Sequence, residues 1–245
     1  MLNIKLFCFP YAGGSASIYS RWQPYFNSHN GIELVPIELT GRGRRIHEPL
    51  YPDLMHAVED LYELIRNDIK SAPYAFFGHS LGGLLVYELA QKIKQLHIRQ
   101  PLHLFFSGRG APNIEIKRKK YHLMNDEEFK DEVIKLGGTP PEFFDHPELT
   151  ELFLPLLKND FKLAETNLAQ RELNPFKCDI SIFSGKEDDK ICQEQIDGWK
   201  LHTGANCSVH YFEGGHFFLH DEIPEISKLI NNALKKHVQR NAGLV

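Results

Sequence analysis

The chain is short of the features that mark several large protein classes. Its four cysteines, Cys8, Cys178, Cys192 and Cys207, form no C-x-x-C pair and no cysteine–histidine cluster. That spacing excludes the usual zinc modules. Cys8 lies inside an apolar run and reads as a small buried hydrophobe. No apolar stretch approaches the roughly 18 residues of a membrane span. The opening MLNIKLFCFPYAGG has no basic segment before its apolar run, which stops at Pro10, so it does not read as a secretory signal. A reduced, cytoplasmic location is the expectation. An excess of positive charge is also missing. The 28 lysines and arginines against 32 acidic residues leave a net charge of -4, which gives no basic face for a nucleic acid. Internal repeats and low-complexity tracts are absent as well.

What is present suits a globular protein. The 245 residues are 42% hydrophobic and 24% charged, enough for one domain with a sizeable core. Short apolar runs alternate with helical patterns, the signature of a parallel sheet covered by helices. Strands are expected at 5–9, 33–38, 74–78, 102–107, 179–184 and 207–212. Runs such as LFCF and LFF are continuously apolar, as in strands buried on both faces. Pro36 cannot donate a ladder hydrogen bond, so the second strand belongs at an edge. Helical periodicity covers 53–69, 81–96, 193–201 and 224–238. The stretch 109–177 is too long for a plain connection and has helical patterns of its own, at 127–136 and 147–168. It reads as a helical insertion within a single domain spanning 1–245.

The sequence YAFFGHSLGG contains G-x-S-x-G at Gly78, Ser80 and Gly82. By composition alone such a triplet arises in roughly one of ten chains this long, at about 7% each for glycine and serine. Context therefore decides. An apolar strand precedes it and the helical pattern LLVYELAQKI follows, which is what a nucleophilic serine on a sharp strand-to-helix turn requires. This arrangement predicts an α/β-hydrolase fold: a mostly parallel six-stranded sheet, helices on both faces and a helical lid. The serine needs a base to take its proton. In that fold the chain order is serine, acid, histidine. His216, in YFEGGHFFL after the last strand, is the candidate base, with His220 its neighbour. The strand at 179–184 runs into GKEDDKI, where Glu187, Asp188 and Asp189 could each orient the imidazole. Asp188 is favoured and Asp189 second. An oxyanion hole needs two backbone amides. Leu81, after the nucleophile, supplies one; the loop FPYAGGSAS supplies the other from Ala12 or its neighbour Tyr11. Ser15 or Ser17 is expected to cap the following helix.

These segments carry a family resemblance. LFCFPYAGGSAS, PIELTGRGRR, FFGHSLGG, KLGGTPPE, LPLLKNDF and FEGGHFFL cover nearly the whole chain in order. In them the chain resembles the external, type II thioesterases that accompany nonribosomal peptide and polyketide synthetases. FPYAGG with GHSLGG is specific; GHSLGG alone is common to many hydrolases. The resemblance implies a cytosolic editing enzyme that cleaves unwanted acyl or aminoacyl groups from the phosphopantetheine thiol of carrier domains. It implies a triad of Ser80, Asp188 and His216; no cofactor, no metal and a monomer are the further expectations. The family's G-x-x-D spacing is kept from Gly185 to Asp188, while its usual next proline is here Asp189.

The residues alone do not separate sulfur from oxygen leaving groups, because both ester types pass through the same tetrahedral oxyanion. A small-molecule carboxylesterase or acyl-coenzyme A thioesterase is therefore the alternative. A non-catalytic binding module of the same fold is disfavoured by the intact serine, acid and histidine. The insertion holds Phe129, Val133, Leu136, Phe143, Phe144, Phe153, Leu156, Leu157 and Phe161. These either cover the core or form a lid over an acyl pocket. Two basic stretches, GRGRR at 41–45 and KRKK at 117–120, read as solvated loops or as docking points for an acidic carrier domain.

Overall fold

A computed structural model describes residues 3–26, 31–114, 119–139 and 141–242. Six strands form one sheet: β1 (Ile4–Phe9), β2 (Ile32–Pro36), β3 (Tyr74–His79), β4 (His103–Ser107), β5 (Asp179–Gly185) and β6 (Cys207–Phe212). Their order is β2-β1-β3-β4-β5-β6, and every pair is parallel. The six expected strands are all present within two residues of their expected ends. Pro36 lies on the edge strand β2, opposite Cys8.

Alternation along the strands divides two cores. Phe7, Phe9, Phe76 and Phe106 enter one, with α1 (Leu54–Ser71) and α2 (Leu81–Gln95) packed over them. Leu6, Cys8, Phe77, Phe105 and Phe183 enter the other, covered by α6 (Ile223–Ala242) and a 3-10 segment, Ala16–Tyr25. Burial on both faces is why these strands are apolar without interruption. Helix α1 starts where Asp53 accepts the His56 amide. A short α5 (Gln193–Gly198) ends in a 3-10 turn, Trp199–His202, which together fill the stretch expected as one helix.

Ser15 occupies the cap position of the 3-10 segment without capping it. Its hydroxyl lies 2.6 Å from that of Ser17, and the Ala16 amide goes instead to the Glu38 carboxylate at 3.0 Å. The two serines satisfy each other, so neither caps.

Between β4 and β5 the chain builds α3 (Asp126–Leu136) and α4 (Pro147–Ala164). Asn125 caps α3 by accepting from the Glu128 amide, and Gly137 ends it with φ 81°. Phe129, Val133, Leu154 and Leu157 form a small core inside this segment. Among the described residues no helix is long and apolar enough to cross a membrane.

The chain steps outward from β1 to β2, then returns to β3 on the other side of β1. The carboxyl ends of β1 and β3 therefore flank a reversal of strand order, where open α/β sheets leave a crevice.

Candidate active site

Ser80 sits between the last residue of β3 and the first of α2, with φ 53° and ψ -110°. A positive φ in a serine is strained and persists only where the surroundings enforce it. Here steric crowding enforces it. A Cβ on Gly78 would lie 2.2 Å from the Gly82 carbonyl oxygen, and one on Gly82 would lie 2.1 Å from that of Phe9. Only glycine fits at either place. The Ser80 amide donates to the Ser107 carbonyl at 2.8 Å, which ties the turn to β4. His79 is fully buried behind it, its Nδ1 2.8 Å from the Ser107 hydroxyl. Burial holds the His79 pKa well below the ordinary range, so the ring is neutral.

The loop after β6 brings in His216. Its Nδ1 lies 2.7 Å from Oδ2 of Asp188, whose side chain is wholly buried. The other carboxylate oxygen accepts the Lys190 amide at 3.0 Å. Asp189 is exposed and paired with Lys190 at 2.8 Å. Glu187 is exposed too, and its amide donates to the Gly214 carbonyl. The loops after β5 and β6 touch at Gly185, where a Cβ would meet the Gly215 carbonyl at 2.3 Å. His220 is engaged elsewhere: its Nε2 lies 3.0 Å from the Tyr11 hydroxyl.

The loop after β1 is pinned on both sides of Ala12. Tyr11 is held by His220, and the Gly13 amide donates to Asp160 Oδ2 at 2.7 Å. The Gly14 amide returns to the Tyr11 carbonyl at 2.9 Å. Among the described residues, no hydrogen bond occupies the amides of Ala12 and Leu81.

Asp160 lies in the LPLLKNDF segment, from which no role for it follows. It lies on α4 among the buried positions Leu156, Leu157 and Leu163, and it binds Arg42 through both oxygens at 2.6 and 2.8 Å. A lone acid on the apolar face of a helix was the available signal. The expectation of a solvated GRGRR loop is thereby corrected. Arg42 is buried, and Arg45 pairs with Asp60 at 2.8 Å and with Glu48; only Arg44 remains exposed. Asp160 and Asp60, on α4 and α1, reach Arg42 and Arg45, so these two arginines serve packing. In the second basic stretch, Lys117 and Arg118 lie outside the described residues. Lys119 pairs with Glu132, and Lys120 donates to the Glu165 carbonyl.

Ser80 and His216 open on a cavity of about 390 Å³. Tyr11 and Ala12 line it at that end, and Val133, Leu136, Leu157 and Phe161 form the wall contributed by α3 and α4. Lys119, Glu132, Asp189 and Lys190 make a polar portion of the lining. Phe143 and Phe144 are not in this wall. Phe143 packs on Phe144 and Phe153, at ring centroid distances of 5.7 and 4.7 Å.

A family model described as a thioesterase domain matches residues 4–234. The chain belongs to the thioesterase domain family. This thioesterase is 37% identical to the gramicidin S biosynthesis protein GrsT of Aneurinibacillus migulanus, over 95% of this chain and 90% of that one. It is 34% identical to a Brevibacillus parabrevis protein named linear gramicidin dehydrogenase LgrE, over 99% of this chain and 92% of the relative. Among solved structures, ClbQ from the colibactin NRPS/PKS pathway superposes with a TM-score of 0.89 at 34% identity, covering 97% of this chain and 98% of that one. The type II thioesterase BorB from the borrelidin biosynthetic cluster gives 0.82 at 29% identity, covering 95% and 93%. The thioesterase is thus an α/β hydrolase acting on thioester bonds.

Proposed function

We propose that this thioesterase is a type II editing enzyme. It removes acyl or aminoacyl groups from the phosphopantetheine thiol of carrier domains in a nonribosomal peptide or polyketide synthetase. The observation that carries the reading is the buried Asp188 carboxylate on His216 Nδ1, with His216 and Ser80 opening on one largely apolar cavity. The named relatives and structures of biosynthetic pathways support the choice of substrate.

In this reading Asp188 keeps the His216 proton on Nδ1 and leaves Nε2 to take the Ser80 proton. The Ser80 oxygen attacks the thioester carbonyl, and the amides of Ala12 and Leu81 receive the oxyanion. Collapse of the tetrahedral intermediate expels the thiol, with His216 returning the proton. Water, activated by the same histidine, then releases the acid from Ser80. The segment 109–177 serves as a lid on a single hydrolase domain, its apolar wall holding the acyl chain. The enzyme acts as a monomer and needs no cofactor.

A hydrolysis panel tests this. Acyl- and aminoacyl-loaded carrier proteins are compared with matched coenzyme A thioesters and oxyesters. Faster turnover of the carrier-bound thioesters is expected. Faster turnover of coenzyme A thioesters or free esters would instead make the enzyme a small-molecule esterase or acyl-coenzyme A thioesterase.

A further inference from the structure

Asp160 stands on α4 between two residues that wall the cavity, three positions after Leu157 and one before Phe161. Its carboxylate is fully buried and takes three hydrogen bonds. Oδ2 accepts the Gly13 amide at 2.7 Å and Arg42 Nη1 at 2.6 Å, while Oδ1 accepts Arg42 Nη2 at 2.8 Å. The same Arg42 Nη1 donates to the Gly14 carbonyl at 3.1 Å. Asp160 and Arg42 therefore hold the loop at both the amide and the carbonyl of consecutive residues. Contact is tight as well: at Gly13, with φ 78°, a Cβ would lie 2.7 Å from Leu157 Cδ1. On its other side Ala12 follows Tyr11, which His220 anchors. Among the described residues, Ala12 thus makes no hydrogen bond, while Tyr11 and Gly13 on either side are tethered.

We propose that Asp160, locked by Arg42, is a positioning residue that orients the Ala12 amide toward the oxyanion and couples that orientation to the helix walling the acyl pocket. This rests on the proposed acyl-enzyme chemistry at Ser80 with Ala12 as a donor. An oxyanion donor acts through preorganisation, so a peptide free to turn loses most of its effect. Asp160 touches no substrate in this scheme. Its influence runs through the Gly13 peptide.

The test uses two variants of the full chain. Asp160→Asn removes the charge. The double variant R42M/D160L replaces the buried pair by apolar groups of similar size, a change that folded cores tolerate, and it removes the acceptor from Gly13. Three quantities are measured for each: kcat on an acyl N-acetylcysteamine thioester, the affinity of a trifluoromethyl ketone with the same acyl chain, and the affinity of the matching thioether. The ketone forms an oxyanion on serine; the thioether cannot. Expected are a fall in kcat of about 10²-fold, a similar loss of ketone affinity, and thioether binding within about threefold of wild type. If Asp160→Asn does not fold, the double variant supplies the reading. The inference is overturned if a variant that melts like the wild type keeps kcat within threefold, or if thioether binding weakens as much as ketone binding. Ser80→Ala separates the two levels. Normal turnover in Ser80→Ala would remove the proposed function and this inference together. An inactive Ser80→Ala beside fully active Asp160 variants would remove the inference alone.

Discussion

In the sheet, Phe76, Phe77, Phe105 and Phe106 are fully buried, and parallel pairing fixes each strand against the next. In the proposed lid, a core of four buried residues is supplemented by side-chain hydrogen bonds within the segment and between it and other elements. Arg109 donates to the Ala164 carbonyl, Lys162 to that of Pro52, and Arg42 binds Asp160. The frame therefore sets the proposed reacting groups by backbone geometry: Ser80 by a strained turn, Asp188 and His216 by loops in contact at Gly185. The lid sets its wall by individual side chains. Changes in the frame should alter whether the reaction occurs, and changes in the lid should alter which acyl group reacts.

The largest effect tests the frame directly. Ser80→Ala should lower kcat by about 10⁶-fold, and His216→Ala nearly as much. Labelling by a fluorophosphonate should vanish in Ser80→Ala. Residual turnover within tenfold of wild type would place the nucleophile elsewhere and erase the contrast. Next comes the acid. Asp188→Asn should cost about 10⁴-fold in kcat, by analogy with the serine-protease triad, because an amide can hold the wrong imidazole tautomer. The exposed Asp189→Asn should stay within tenfold. Steady-state kinetics on the two variants decides it, and the reverse ranking would move the role to Asp189.

The lid should answer differently. Leu157→Ala enlarges the cavity wall and leaves a hole in the lid core, where Leu157 is 2% exposed. Its kcat/KM ratio between long and short acyl thioesters should shift about tenfold, with a stability loss of about 2–5 kcal/mol. A uniform loss on all chain lengths would show that the lid wall does not select. Acid should separate the regions again. Burial lowers the pKa of His103, the first residue of β4, to about 4. The unfolded chain binds that proton more readily, so stability falls as pH falls. The loss begins near the ordinary histidine value of about 6.5 and ends near 4, at about 1.4 kcal/mol per pH unit. Burial lowers His79 and His202 as well, so chemical denaturation at several pH values should show a steeper total slope, which His103→Gln should reduce by about this amount. The smallest effect is expected from Phe143→Ser with Phe144→Ser. Those rings lie outside the cavity wall, so chain preference should stay within about threefold. A larger shift would mean that the acyl chain reaches further along the lid than Leu157 and Phe161.

Features governed by short-range constraints are legible along the chain. Uninterrupted apolar runs specified the two-faced sheet, and Pro36 placed β2 at the edge. Gly78 and Gly82 around Ser80 marked the turn, because a side chain at either place would strike backbone. The tertiary structure decided whatever depends on direction or on distant partners. Asp188 and Asp189 are adjacent in sequence, yet one faces His216 and the other solvent, and only the path of the loop after β5 separates them. Arg42 and Asp160 lie 118 residues apart, so nothing local pairs them. Phe143 and Leu157 are both apolar and both in the lid, and the packing of α4 on the Gly13 loop alone brings Leu157 to the cavity. Local sterics act within a few residues and can be read along the chain; the orientation of a buried charge or a wall residue is settled only when elements from opposite ends of the sequence close on one another.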